Sequence, residues 1–190
     1  MRTVVAALTA CGLAAGGLVT VAAAPAVAAA GDLTQTECIS QASLSGCTTA
    51  LPPSLGGAAA LSMDAANVYV ASLTSGSITT FTRGAGGALT QTGCISQEEI
   101  SGCTTAAQSS LNNPNGVSVD AANVYVTSRA SGSVTTFTRG VGGELAQTGC
   151  ISQAVISGCT TAPQPSLNGA FGVTMDAANA YVASLVSSAV

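Results

Sequence analysis

An all-β fold made of stacked copies of one four-stranded antiparallel unit is what this sequence predicts, and three observations predict it. The first is a 56-residue period: Cys38, Cys94 and Cys150 fall 56 apart, as do Asp64, Asp120 and Asp176, and Tyr69, Tyr125 and Tyr181. The second is that segments 31–86 and 87–142 align without a gap and agree at 36 of 56 positions. The third is that the β-forming runs within a copy are joined by connections too short for crossover helices. Such a copy cannot bury its own apolar faces and must stack on its neighbours.

The second copy gives the elements in order. Gly116-Val117-Ser118-Val119 reads as a first strand, and Asp120-Ala121-Ala122-Asn123 as a turn, because Asp and Asn hydrogen-bond nearby backbone. Val124-Tyr125-Val126-Thr127-Ser128 is a second strand rich in β-formers, with apolar residues on both faces. Ala130-Ser131-Gly132-Ser133 turns the chain into a third strand, 134–139, and Gly140-Val141-Gly142-Gly143 turns it into a fourth, 145–150. A longer loop follows, holding a Cys pair and a stretch such as Pro163-Gln164-Pro165-Ser166-Leu167-Asn168.

Four antiparallel strands per unit describe a blade of a β-propeller. Ordinary blades take about 40–50 residues, and the surplus here is the loop between one copy's fourth strand and the next copy's first. A β-solenoid is the rival architecture, but its coils are usually shorter and need fewer hairpin turns. The run Asn123-Val124-Tyr125-Val126-Thr127-Ser128, followed by Ser131-Gly132-Ser133-Val134-Thr135-Thr136-Phe137, resembles the YVTN-type repeat of bacterial β-propellers, a superfamily that includes lactonase-like propellers. The recurring Gly-Cys-Ile-Ser segment, with a second Cys nine residues on, resembles a secreted branch of them. The turn before the Tyr strand departs from the Ser-Pro-Asp-Gly type of that family and reads Asp-Ala-Ala-Asn.

The copies run 31–86, 87–142 and 143–190, the last stopping after its second strand, where Val190 aligns with Val134 and Ile78. Residues 31–38 correspond to a stray fourth strand. Closed propellers need at least about four blades, so the expectation is a partial one of about two and a half repeats. It is expected to be a fragment of a longer propeller, with a ring of several chains or an open arc as alternatives. No Lys guards the unpaired terminal strands, so self-association through uncovered blade faces is expected.

Residues 1–28 read as a signal peptide and 29–190 as the repeats: Arg2 is the positive end, Val4 to Val21 the apolar stretch, and Ala26-Val27-Ala28 a small-residue cleavage site. The chain is therefore expected outside the cell. An alternative cut at Leu8-Thr9-Ala10-Cys11 resembles a lipobox, in which Cys11 would be lipidated and tether the protein to a membrane. Beyond residue 30, three arginines stand against eight acids, a formal charge of −5 that argues against nucleic acid as a partner.

Without Cys11, six cysteines remain as Cys38/Cys47, Cys94/Cys103 and Cys150/Cys159, which in an exported chain reads as disulfides. A bridge within each copy is the one scheme that every copy can form alone, and a loop of that size stabilises by roughly 2.5–3 kcal/mol. Zinc is the weaker reading, because the chain has no His and the pairs lie too far apart in sequence.

Few residues carry chemistry. Asp64, Asp120 and Asp176 are read as turn formers rather than calcium ligands, since one carboxylate per turn is a thin supply. The tyrosines, Phe81 and Phe137 are read as packing between copies. Two breaks in the pattern are candidate binding positions: the adjacent pair Glu98 and Glu99 beside one Cys loop, and Arg129, which replaces Leu73 and Leu185 of the sister copies. Arg129 could bind an anion at a rim.

No catalytic residue is assigned, no metal site and no cofactor. The absence of His excludes histidine-dependent triads and dyads, and near-identical copies cannot build an asymmetric site. The expected role is structural or binding, with an unknown ligand at loop faces where the copies differ. The resemblance implies, as the alternative, a lactonase-type hydrolase similar to 6-phosphogluconolactonase, whose catalytic groups would lie on blades this sequence does not contain.

Overall fold

The computed structural model describes residues 35–190. The signal-peptide reading of 1–28 and the lipobox Cys11 lie outside the described residues. Those residues are all β apart from one 3-10 turn at Ala85–Gly87. The first strands form a two-residue parallel pair, β1 (Ile39–Ser40) and β2 (Thr48–Thr49). A five-stranded sheet follows: β3 (Ala58–Met63), β4 (Asn67–Ser72), β5 (Ser77–Arg83), β6 (Leu89–Ser96) and β7 (Thr104–Thr105). The next copy repeats it with β8 (Pro114–Val119), β9 (Asn123–Ser128), β10 (Ser133–Arg139), β11 (Leu145–Ser152) and β12 (Thr160–Thr161). The last copy supplies only β13 (Ala170–Met175) and β14 (Ala180–Ser184).

Within each five-stranded sheet the first four strands are an antiparallel meander in chain order. The fifth, β7 or β12, pairs parallel with the fourth strand. The loop holding the Cys pair was expected to be irregular, yet its returning limb adds this two-residue ladder. Closing the loop at the cysteines brings its two limbs alongside each other and leaves their backbone groups in pairing distance. Strand β6 runs on to Ser96, beyond the cysteine at which the fourth strand was expected to stop, because Ile95 and Ser96 still pair with Ile78 and Ser77 of β5.

Of residues 31–38, expected as a stray fourth strand, those described, 35–38, are irregular, and the ladder begins only at Ile39. Their equivalents Gln91–Cys94 pair with β5, and among the described residues no third strand stands beside 35–38 to hold the backbone extended.

The sheets are packed through both faces. Tyr69, Ala71, Ile78 and Ile95 of the first sheet form one core with Leu111, Val117, Val124, Val126 and Phe137 of the second. On its opposite face the first sheet places Val68 and Phe81 against Ala50 and Leu55. Since neighbouring residues of a strand point to opposite faces, Val68-Tyr69-Val70 can be apolar throughout only in a sheet covered on both sides. The first strands β3, β8 and β13 lie side by side, β8 in the middle.

A network that repeats with the sequence pairs the buried hydroxyls under the third strand, whereas those of Ser72, Ser128 and Ser184, one position in three copies, have no partner among the described residues. The loop after each Cys pair inserts Ser54 or Ser110 beneath the turn into the third strand. There Ser77 Oγ donates to the Ser54 carbonyl at 2.6 Å, and the hydroxyls of Ser54 and Thr79 lie 2.7 Å apart. Ser133 Oγ donates to the Ser110 carbonyl at 2.8 Å, and Thr135 Oγ1 lies 2.7 Å from Ser110 Oγ. The Gln of each Cys-Ile-Ser-Gln run secures the same loop: Gln97 Oε1 accepts from the Leu111 N–H at 2.9 Å and Gln153 Oε1 from the Leu167 N–H at 3.0 Å. An unpaired hydroxyl at such depth would cost about 1–3 kcal/mol, which accounts for Ser-Gly-Ser-x-Thr at both 75–79 and 131–135; the third copy reads Ser187-Ser188-Ala189-Val190 there.

Candidate functional site

The cysteines are joined within each copy: Cys38–Cys47, Cys94–Cys103 and Cys150–Cys159, with Cα separations of 4.8, 4.8 and 4.7 Å. Those separations are ordinary for a disulfide. Each bridge closes a loop whose glycine, Gly46, Gly102 or Gly158, has a positive φ that side chains rarely tolerate. Glu98 and Glu99 sit exposed in the second of these loops, where Ser96 Oγ donates to the Glu98 carbonyl at 2.7 Å and the Cys103 N–H to the Ile100 carbonyl at 2.9 Å. The two carboxylates share no cavity with Arg129.

The recurring aspartates form the hairpin turns that their residue type predicts. Asp64 Oδ1 accepts from the N–H groups of Ala66 and Asn67, both at 2.7 Å, and Asp120 and Asp176 repeat the arrangement. Each second oxygen accepts from the tyrosine hydroxyl five residues on, at 3.2, 2.9 and 2.8 Å in the three copies. Burial raises the Asp64 carboxyl, but the two N–H donors, the Tyr69 hydroxyl and the Arg139 guanidinium outweigh it and hold the group below its usual range. Asp176 is lowered to about 2 by the Ala178 N–H, the Tyr181 hydroxyl and the Asn179 N–H.

Arg139 links copies. Its guanidinium bonds to the carbonyls of Asp120 and Ala121 in its own copy, at 2.6 and 2.7 Å, and also meets Asp64 Oδ2 of the preceding one. Arg83, its equivalent, reaches the Asp64 carbonyl at 3.2 Å but meets no carboxylate among the described residues. Neither link could be read from the sequence, although an Asp and a Tyr five apart in every copy was a visible signal for the first.

Where the first strands converge, a cleft of about 530 Å³ opens between β3, β8 and β13. Ala60, Gly116, Val117, Phe171 and Val173 line it, and Arg129 is its one charged group. The backbone there is close-packed: Thr127 Oγ1 donates to the Phe171 carbonyl at 2.7 Å, and a Cβ on Gly116 would lie 2.4 Å from that same oxygen. Arg129 is exposed and held by its own N–H, which donates to the Asn113 carbonyl at 2.9 Å. An apolar wall with a single guanidinium suits a compact anion with an apolar body. The cleft lining includes no carboxylate, so it offers no acid and base pair, and among the described residues no three His, Cys, Asp or Glu side chains converge as a metal site would need.

No family model matches the chain, and no curated protein is similar to it. Among solved structures it is similar to a functionally unknown protein from Desulfotomaculum acetoxidans DSM 771, at 20% identity and a TM-score of 0.48. That likeness covers 70% of this chain and 38% of the other, so the chain spans well under half the length of the structure it matches.

Proposed function

We propose that this chain is a run of β-propeller blades in an exported, disulfide-stabilised protein whose role is binding. The observation that carries the reading is the side-by-side placement of β3, β8 and β13, each the start of a meander that leads away from the shared centre. Blades of a propeller are arranged in this way around their axis. The three disulfides fit an oxidising compartment and therefore export.

The binding surface is the central cleft, and its ligand is a small organic anion that pairs with Arg129 and lays its apolar part against Phe171 and Val173. Arg129 is the position where the middle copy abandons the Leu of its sisters, so the charge is not a requirement of the repeat. Phenyl phosphate and benzoate are suitable probes, titrated while the amide resonances of Gly116, Arg129 and Phe171 are followed. Saturable shifts at these three residues are expected, and Arg129→Leu, which restores the sister residue, should abolish them without altering the β spectrum. Shifts that are absent, or that persist unchanged in the variant, would refute the binding role of the cleft. The lactonase alternative finds no supporting residue in this cleft.

A further inference from the structure

We infer that a second copy of this chain docks head to tail on the first, with Tyr181 of one molecule entering a groove on the first sheet of its neighbour and Asp176 meeting the neighbour's Arg83. The inference rests on the blade-stack reading above and names a partner for its outer faces.

The two faces in question already meet inside the chain. Tyr69 is 0% exposed because its ring lies against the second sheet, in one core with Val124, Val126 and Phe137. The acid below that tyrosine, Asp64, is paired with Arg139 of the same second sheet. The contact therefore has two parts, an aromatic ring inserted between sheets and an ion pair at its edge.

One face of each kind is left over. On β14, Tyr181 is 46% exposed, and the Asp176 turn beside it is exposed as well. At the other end a groove of about 300 Å³ is lined by Leu55, Leu61, Val68, Val70, Phe81 and Leu89. These are the 56-residue equivalents of Leu111, Val117, Val124, Val126, Phe137 and Leu145, the residues that gather around Tyr69. Val68 and Phe81 at the floor of the groove are already buried against Ala50 and Leu55, and the open part is at Leu61, 67% exposed where its equivalent Val117 is 8% exposed.

Charge agrees with shape. Arg83 is exposed, holds its own turn through the Asp64 carbonyl as Arg139 holds that of Asp120, and meets among the described residues no carboxylate of the kind that Arg139 finds in the preceding copy. Among the described residues no guanidinium meets Asp176 as Arg139 meets Asp64. A second molecule placed by the same step that relates the first two sheets brings these two groups together. Glu37 lies at the groove edge, but its Oε2 is taken by the Leu89 N–H at 2.8 Å. Because the two faces differ, the contact is heterologous and propagates into a ring or an open row rather than closing as a twofold dimer.

The test is sedimentation velocity of the exported chain across the micromolar range, with hydrogen exchange of β4 and β9 followed in the same samples. Concentration-dependent association is expected. Arg83→Glu and Asp176→Arg should each weaken it about tenfold or more, and the double swap should restore it. Tyr181→Ser should abolish it.

A chain that stays monomeric with β4 and β9 protected overturns this inference and leaves the blade stack standing, whereas loss of protection at both strands overturns the stack as well. Association that neither charge reversal weakens overturns it too.

Discussion

Arg139 reaches back 75 residues to pair with Asp64, so that the end of one copy's third strand is fastened to the hairpin turn of the copy before it. Side-chain exposure at the two residues is 14% and 18%, low enough that water screens the pair only in part. Asp64→Asn keeps an oxygen for the Ala66 and Asn67 N–H groups and removes only the charge. It should cost about 1–3 kcal/mol in urea unfolding. Asp120→Asn, at a turn where Arg139 meets backbone carbonyls and not the carboxylate, should cost under about 1 kcal/mol. Equal losses would show that the link between copies contributes nothing beyond the turn.

Acid should weaken the fold over a defined window. The carboxyls of Asp64, Asp120 and Asp176 all titrate below their usual range in the folded chain, Asp176 at about 2. A depressed folded value gives stability that is present above the unfolded value, about 3.9, and is lost as pH falls through the folded one. Thermal midpoints should therefore hold steady above roughly pH 5 and fall between about pH 4 and pH 2. A midpoint that does not move across that interval would contradict the turn geometry.

A nonreducing proteolytic digest should yield Cys38 linked to Cys47, Cys94 to Cys103 and Cys150 to Cys159. Peptides joining Cys47 to Cys94 would refute the scheme. Replacing one pair by serines should lower stability by roughly 2–3 kcal/mol, since each loop is short.

Gly116 has no room for a methyl group between β8 and β13, where the Phe171 carbonyl and Thr127 Oγ1 stand 2.4 and 2.5 Å from the position a Cβ would take. Gly116→Ala should cost about 1–3 kcal/mol. The first copy carries Ala60 and Ala71 at the equivalent positions, so Thr127→Ala added to Gly116→Ala should recover part of that loss. Strict additivity of the two changes would count against the close approach.

Ser110 accepts through its carbonyl and shares its hydroxyl with Thr135 and Gln147, whose Nε2 donates at 3.0 Å. Ser110→Ala removes the acceptor of Gln147 Nε2 and leaves Thr135 Oγ1 only its 3.3 Å bond to the Ser110 carbonyl. A loss of about 1–3 kcal/mol is expected in chemical denaturation, and Ser110→Thr should not reproduce it unless the added methyl itself clashes.

By itself the sequence determined what is local or repeated. The 56-residue spacing set the unit, the β-branched runs set the strands, Asp-Ala-Ala-Asn set a turn, and paired cysteines at one fixed spacing set bridges inside each copy. These follow from backbone geometry and short-range hydrogen bonding, which act over a few residues and so are written in consecutive ones. Tertiary structure decided the rest. The parallel ladders of β7 and β12 arise because closing a loop aligns backbone whose residues carry no distinctive signal. The Arg139–Asp64 pair, the Thr127 bond to the Phe171 carbonyl and the convergence of Arg129 with Phe171 in one cleft join residues from different copies. Identical repeats hold no record of which copy a side chain will meet. That is settled only when sheets stack and the free energy of burying their shared faces fixes the step from one to the next.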